Sequence, residues 1–284
     1  MPIAPERLLN HRFPEIAHSY TARDVILYAL GVGLGQDPCD PSDLRFLLED
    51  RLEVLPTFAV TLASPGMWIA APEFGVAFVK LVHAEQAAWF HAPPPREAQI
   101  VGRARVLSLT DRGAERGAVL VLERTIDDAR SGVRYCTLRQ TLLLRGDGGF
   151  GGPPASAAPS LIPDRAPDVS ARALVSPRAA LIYRLSGDLN PLHADPEFAR
   201  RAGFDRPILH GLASYAMAGV AVARACGVTP SRVAALQCRF SGVVFPGDAI
   251  GFKIWREVGK AAFQAFVNER KVLDQGLISF EGSR

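Results

Sequence analysis

Apolar residues recur at helical spacing from Tyr20 to Gly33, with Val25, Tyr28, Ala29 and Val32 on one face. Thr21 precedes the run as a helix N-cap, and Gly31, Gly33 and Gly35 close it. Asp37 to Asp50 is polar and turn-rich, and Leu55-Pro56-Thr57-Phe58 opens a new apolar stretch. Beyond Pro93 the period changes. Gln99–Leu109, Ala118–Thr125 and Tyr135–Leu144 are rich in Val, Leu and Thr with partial alternation. Asp111-Arg112-Gly113 and Ser131-Gly132 separate them. This is the pattern of an antiparallel meander, and one helix followed by a run of strands predicts an α+β fold. Arg103, Arg105, Arg124 and Arg139 are expected on its solvated face.

Residues 146–177 read as a linker, because GDGGFGGPPASAAPS and the prolines after it disfavour regular structure. The chain then divides into 1–145 and 178–284. The second part answers the first in outline. Ile26–Leu30 matches Leu181–Leu185, and Pro95-Arg96-Glu97 matches Pro246-Gly247-Asp248 at nearly the same offset. Strand-like runs close each half, those of the second at Ala262–Asn268 and Gly276–Phe280. A degenerate internal duplication accounts for this. At that offset Asp188 falls opposite Gly33, so one half carries a polar loop that the other lacks.

In the second half, Asp195-Pro196 starts a short helix that Gly203 ends. Leu212 to Ala225 is apolar on almost every face until Arg224, which predicts a buried helix. Its N-terminus lies at His210-Gly211, where backbone N–H groups lack intrahelical partners and can hold a carbonyl or an oxyanion.

Composition narrows the class. The 284 residues are 48% hydrophobic and 21% charged with a net charge of +3, an ordinary globular balance. No Lys/Arg block supports nucleic-acid binding. Val54 to Pro72 is the longest uncharged stretch, but Pro56, Pro65 and Gly66 interrupt it, so no membrane span is expected. The four cysteines are far apart and form no C-x-x-C, which fits a reducing compartment. The first residues lack a signal-peptide core, and Gly282-Ser283-Arg284 is not a peroxisomal S-K-L address.

The chemistry concentrates in DLNPLH, where Asp188, Asn190 and His193 lie within six residues. Each has an ordinary structural explanation alone: Asp188 as a turn residue, Asn190-Pro191 as a loop dipeptide, His193 as a bonded loop histidine, His210 as a helix-capping side chain. Together, beside an open helix N-terminus, they point to a site. Metal binding is not expected. D-x-N begins a calcium loop, but Leu192 and His193 occupy the positions that need Asp/Asn and Gly, and no H-x-x-x-H is present. No G-x-S-x-G supports a serine nucleophile. A second polar patch, Leu81-Val82-His83-Ala84-Glu85-Gln86, reads equally well as a strand end at the surface.

YRLSGDLNPLHADPEFARRAGFDRPILHGL resembles the signature of type 2, (R)-specific enoyl-CoA hydratases, the MaoC-like hydratases. YALGVG, LPTF, the His83 patch and GDGGFGG resemble the hydratase portion of the peroxisomal multifunctional enzyme type 2. The resemblance implies a double hot-dog, with two tandem halves that each curl an antiparallel sheet around a central helix. It implies reversible hydration of trans-2-enoyl-CoA to (3R)-3-hydroxyacyl-CoA. Asp188 and His193 would be the catalytic pair, Asn190 would position water or substrate, and the Gly211 N–H would hold the thioester carbonyl. His83, Gln86, Tyr183 and His210 would contact substrate. The patch departs from the family in reading His-Ala-Glu where His-Gly-Glu is expected. Residues 1–145 would supply acyl- and CoA-binding surface without chemistry. The implied partners are an acyl-CoA substrate and a second copy in a homodimer, with no cofactor beyond the coenzyme A of the substrate. An acyl-ACP or bulky acyl-CoA dehydratase and a non-catalytic acyl-CoA-binding protein are the alternatives.

Overall fold

A computed structural model describes residues 3–152 and 159–282. The centre of the expected linker, 153–158, and the last two residues lie outside this range. The helices are α1 (Pro5–Leu9), α2 (Ala22–Gly31), α3 (Pro41–Leu44), α4 (Ala179–Tyr183), α5 (Pro196–Arg201) and α6 (Gly211–Ala225). The strands of the first half are β1 (Ile16–Tyr20), β2 (Leu81–Phe90), β3 (Ala98–Asp111), β4 (Ala118–Asp128) and β5 (Arg134–Leu144). Those of the second are β6 (Val169–Leu174), β7 (Val233–Phe240), β8 (Ala249–Glu257), β9 (Lys260–Val267) and β10 (Arg270–Phe280).

All ten strands form one sheet in the order β1-β3-β4-β5-β2-β7-β10-β9-β8-β6. Every neighbouring pair is antiparallel. Outward from the central β2–β7 pair, both halves run in the same order, so the duplication seen in sequence has a topological counterpart. At that joint Glu85 stands opposite Arg239, and their side chains pair at 2.8 Å. Half-exposed, this bridge contributes under about 1 kcal/mol. The backbone ladder and the core beneath it carry the join.

Val169–Leu174, inside the segment expected to be linker, pairs with β8 as an edge strand. Its alternation, Val169-Ser170-Ala171-Arg172, is short and the prolines around it mask the period. One of the four strand arginines also departs from expectation. Arg103, Arg105 and Arg139 keep about half or more of their side chains in solvent and pair with Glu15, Asp127 and Glu123. Arg124 instead shares the inward face of β4 with Leu120, Leu122 and Ile126.

The helices follow their sequence signals. Thr21 and Asp24 form a capping box at the start of α2. Asp195 Oδ1 accepts from the N–H groups of Glu197 and Phe198 at the start of α5. α6 is buried almost throughout, and Tyr215 donates its hydroxyl proton to Leu236 O at 2.7 Å. Gly219 lets α6 lie close on the sheet, since a Cβ there would come within 3.1 Å of Leu236. Among the described residues of the N-terminal half no helix is comparably long. Against β2 and β5, where symmetry with α6 places one, stands the short 3₁₀ turn Pro56–Thr61. Pro56 supplies no N–H to extend it. One apolar core runs through both halves, from Tyr20 to Phe280. Among the described residues no helix is long and apolar enough to cross a membrane.

Candidate active site

The polar loop hangs between α4 and α5. Gly187, in the left-handed region at φ +113°, turns the chain out of the 3₁₀ turn that follows α4. Asp188 Oδ1 then accepts from Asn190 N–H at 3.2 Å, and Asn190 Oδ1 accepts from Leu192 N–H at 3.0 Å. These two short-range bonds wind Pro191–His193 into a 3₁₀ turn with Asn190 as its cap. The turn drives the His193 ring inward, where it is only 8% exposed, while Asp188 stays at the surface.

The approach to α6 locks the same ring. Ile208 O lies 2.9 Å from His193 Nδ1, and Ile208 N–H bonds back to Leu192 O. A carbonyl only accepts, so Nδ1 carries the proton and Nε2 presents a lone pair. Burial lowers the His193 pKa from 6.5, against the hydrogen bond to Ile208 and the charge of Asp188. The ring is therefore neutral near pH 7 with an unprotonated Nε2.

His210 was expected to cap α6, but its side chain makes no capping bond. It stacks on His193 at 3.7 Å between ring centroids and donates from Nε2 to the backbone carbonyl of Asp188 at 3.1 Å. Burial and the adjacent His193 push its pKa down to about 4. His210 thus fixes the height of the Asp188 loop over the His193 ring. Asp188, His193 and His210 each present a carboxylate oxygen or ring nitrogen within 4.8 Å of the others, the one such trio among the described residues. Hydrogen bonds of about 2.8 Å on either side let a single water bridge that gap.

The N-terminus of α6 faces this trio. The first bonded N–H groups of the helix are those of Ala213 and Ser214, both onto His210 O. Those of Gly211 and Leu212 have no backbone acceptor among the described residues. A Cβ on Gly211 would press toward the ring of Phe240 at 3.4 Å.

The other three expected substrate contacts, Tyr183, His83 and Gln86, sit deeper. Tyr183 is 2% exposed, tilted against His210 at 5.0 Å, with its hydroxyl unpartnered. It supports His210 from behind and has no face toward an entering molecule. His83 and Gln86 belong to β2, where a bulge between His83 and Glu85 disturbs the pairing with β5. His83 is not a surface strand end. Its Nε2 donates to Glu85 O, Gln140 donates to its Nδ1, and burial pushes its pKa down to about 4. Its ring edge meets Phe240 at 5.0 Å, which ties this patch to Gly211. Gln86 is buried and donates to Ala87 O. Gln140, Phe240 and Arg124 join the site without any motif. Only parity along β4 and β5 marks the first and last as inward-facing.

Comparison with known proteins identifies the family. A model of the MaoC like domain matches residues 159–275, and one of the MFE-2 hydratase 2 N-terminal domain matches 18–146. The peroxisomal enoyl-CoA hydratase 2 of Arabidopsis thaliana is 37% identical over 97% of this chain and 94% of its own. The 3-hydroxyacyl-thioester dehydratase Y of Mycobacterium tuberculosis is 39% identical over 92% and 93%. Among solved structures, a MaoC-like dehydratase from Phytophthora capsici superposes with a TM-score of 0.85, at 29% identity and 99% coverage of both chains. A Mycobacterium tuberculosis protein at 15% identity and TM-score 0.54, covering 94% of both chains, shares the double hot-dog fold. The chain belongs to the MaoC-like hydratases, a family of hydro-lyases, in the branch that pairs the MaoC domain with an MFE-2 hydratase 2 N-terminal domain.

Proposed function

We propose that this protein hydrates trans-2-enoyl-CoA reversibly to (3R)-3-hydroxyacyl-CoA, with Asp188 and His193 as its acid–base pair. The thioester carbonyl accepts from the Gly211 N–H at the positive end of α6. That bond strengthens as C3 is attacked and charge moves onto the oxygen, and one such donor contributes about 3–4 kcal/mol. His193 takes a proton from the bridging water through Nε2 and directs the oxygen to C3. Asp188 relays that proton from His193 to C2 on the same side, so addition is syn and the pair ends as it began. Asn190, its carbonyl end engaged by Leu192, keeps an amide end to orient the water.

The carrying observation is the neutral, buried His193, with a ring nitrogen within 4.8 Å of an Asp188 carboxylate oxygen, beside N–H groups without a backbone acceptor at a helix start. A pure acyl-CoA binder has no use for that combination. Residues 1–145 supply acyl and CoA surface in this reading, and 178–284 the chemistry. No metal or redox group is required, because the helix N-terminus does the polarising. A cytoplasmic homodimer completes the reading. The four free cysteines are its support for compartment, and light scattering tests the assembly.

The test is a hydration assay with chiral product analysis. Asp188→Asn and His193→Gln each lose on the order of 10²- to 10⁴-fold in kcat while still binding the product thioester. Wild-type rates in both variants, or an (S) product, would sink the assignment. Activity destroyed by EDTA would overturn the metal-free reading.

A further inference from the structure

The inner wall of β4 breaks its own rule at one position. Leu120, Leu122 and Ile126 are apolar and buried, and between them Arg124 points into the same interior. The other strand arginines have acids on the outer face, where Glu123 is held by both Arg105 and Arg139. Arg124 has none. Among the described residues no carboxylate comes within ion-pair distance of it. Its Nη2 donates to Val60 O at 2.7 Å, and its Nε has neither partner nor solvent. Burial lowers its pKa to about 10, which leaves it cationic at neutral pH. A buried charge without counter-charge is strongly unfavourable unless something supplies one.

What Arg124 faces is a cavity of about 70 Å³. Gln86, Gln140 and Ser64 share its wall with Arg124, and Val60 and Leu212 supply apolar surface. The two glutamines stand directly opposite each other on β2 and β5. At about 10–15 Å³ for each water-sized site, the space holds a group of a few heavy atoms. It is contiguous with the candidate active site at two points. Leu212 follows Gly211 in the first turn of α6. Gln140 also bonds His83, whose ring meets the Phe240 that flanks Gly211. A guanidinium with two amides is a recognition set for a carboxylate.

We propose that Arg124, Gln86 and Gln140 form an acyl-end subsite for a carboxylate, so that the preferred substrates are short enoyl thioesters whose acyl group ends in a carboxylate. This rests on the hydratase reading above. The substrate anion would complete the ion pair that the protein leaves open. Purely alkyl chains would instead strip the arginine and glutamines of water without replacing its hydrogen bonds.

The experiment compares trans-2-hexenedioyl-CoA with its uncharged shape-mate 6-methylhept-2-enoyl-CoA, with crotonyl-CoA as reference. For the wild type, kcat/KM should favour the carboxylate on the order of 10- to 100-fold. Arg124→Met should abolish that preference, read as the ratio of kcat/KM for the carboxylate over the alkyl substrate, and Arg124→Lys should keep part of it. Should Arg124→Met misfold through loss of the Val60 bond, Gln140→Leu and the wild-type ratio decide. Crotonyl-CoA hydration with no carboxylate preference overturns the subsite and leaves the hydratase reading standing. Hydration of none of the three overturns both.

Discussion

His193 and His210 form a stacked pair, and the proposed mechanism uses both rings in the neutral form. Burial opposes charge on each, and a second positive ring at 3.7 Å would add repulsion. The acid limb of kcat/KM should therefore fall below the ordinary histidine value of 6.5. The rate should be level at neutral pH and drop as His193 protonates. A pH–rate profile checks this, and an acid limb centred above pH 7 would contradict it. Stability follows the same sign. His83 and His210 titrate near pH 4 when folded and at 6.5 when unfolded. Between those values the unfolded chain binds more protons, so stability present above pH 6.5 is lost as pH falls toward 4. Urea midpoints across pH 4–7 measure it, and His83→Gln should flatten part of the slope.

At the level of elements, the site is positioned by helix ends. α5 fixes the chain just after His193, and its cap is the Asp195 carboxylate. Asp195→Ala should cost about 1 kcal/mol, read from denaturant unfolding, and loosen the His193 turn more than it unfolds the protein. Gly219→Leu tests the seat of α6. A Cβ there already crowds Leu236, so the larger side chain should cost about 1–3 kcal/mol and tilt the helix that carries Gly211. Loss of activity out of proportion to stability is the expected result. Much at this scale was legible beforehand. Thr21, Asp195-Pro196 and the Leu212–Ala225 run each announce a helix through local chemistry. Val169–Leu174 and the 3₁₀ turn at Pro56 were not legible. A strand at a sheet edge and a turn in place of a helix are decided by the partners they meet.

For the whole molecule, the continuous core and the β2–β7 seam make the two halves one folding unit. Calorimetry should give a single transition with matching calorimetric and van't Hoff enthalpies, and two resolved transitions would contradict that. The sequence by itself determined the α+β class, the duplicated outline, the capped helices and the Asp188–His193 loop. These depend on contacts between near neighbours and on periodicities of a few residues. Only the tertiary structure decided what those residues face. It set the proton of His193 on Nδ1 through Ile208 and turned His210 from an expected cap into the brace of the Asp188 loop. It also placed Arg124 inside while its neighbours stayed in solvent. The physical reason is the same in each case: burial and partner choice are properties of surfaces brought together from distant parts of the chain. A strand's alternation names two faces but does not say which will be dry.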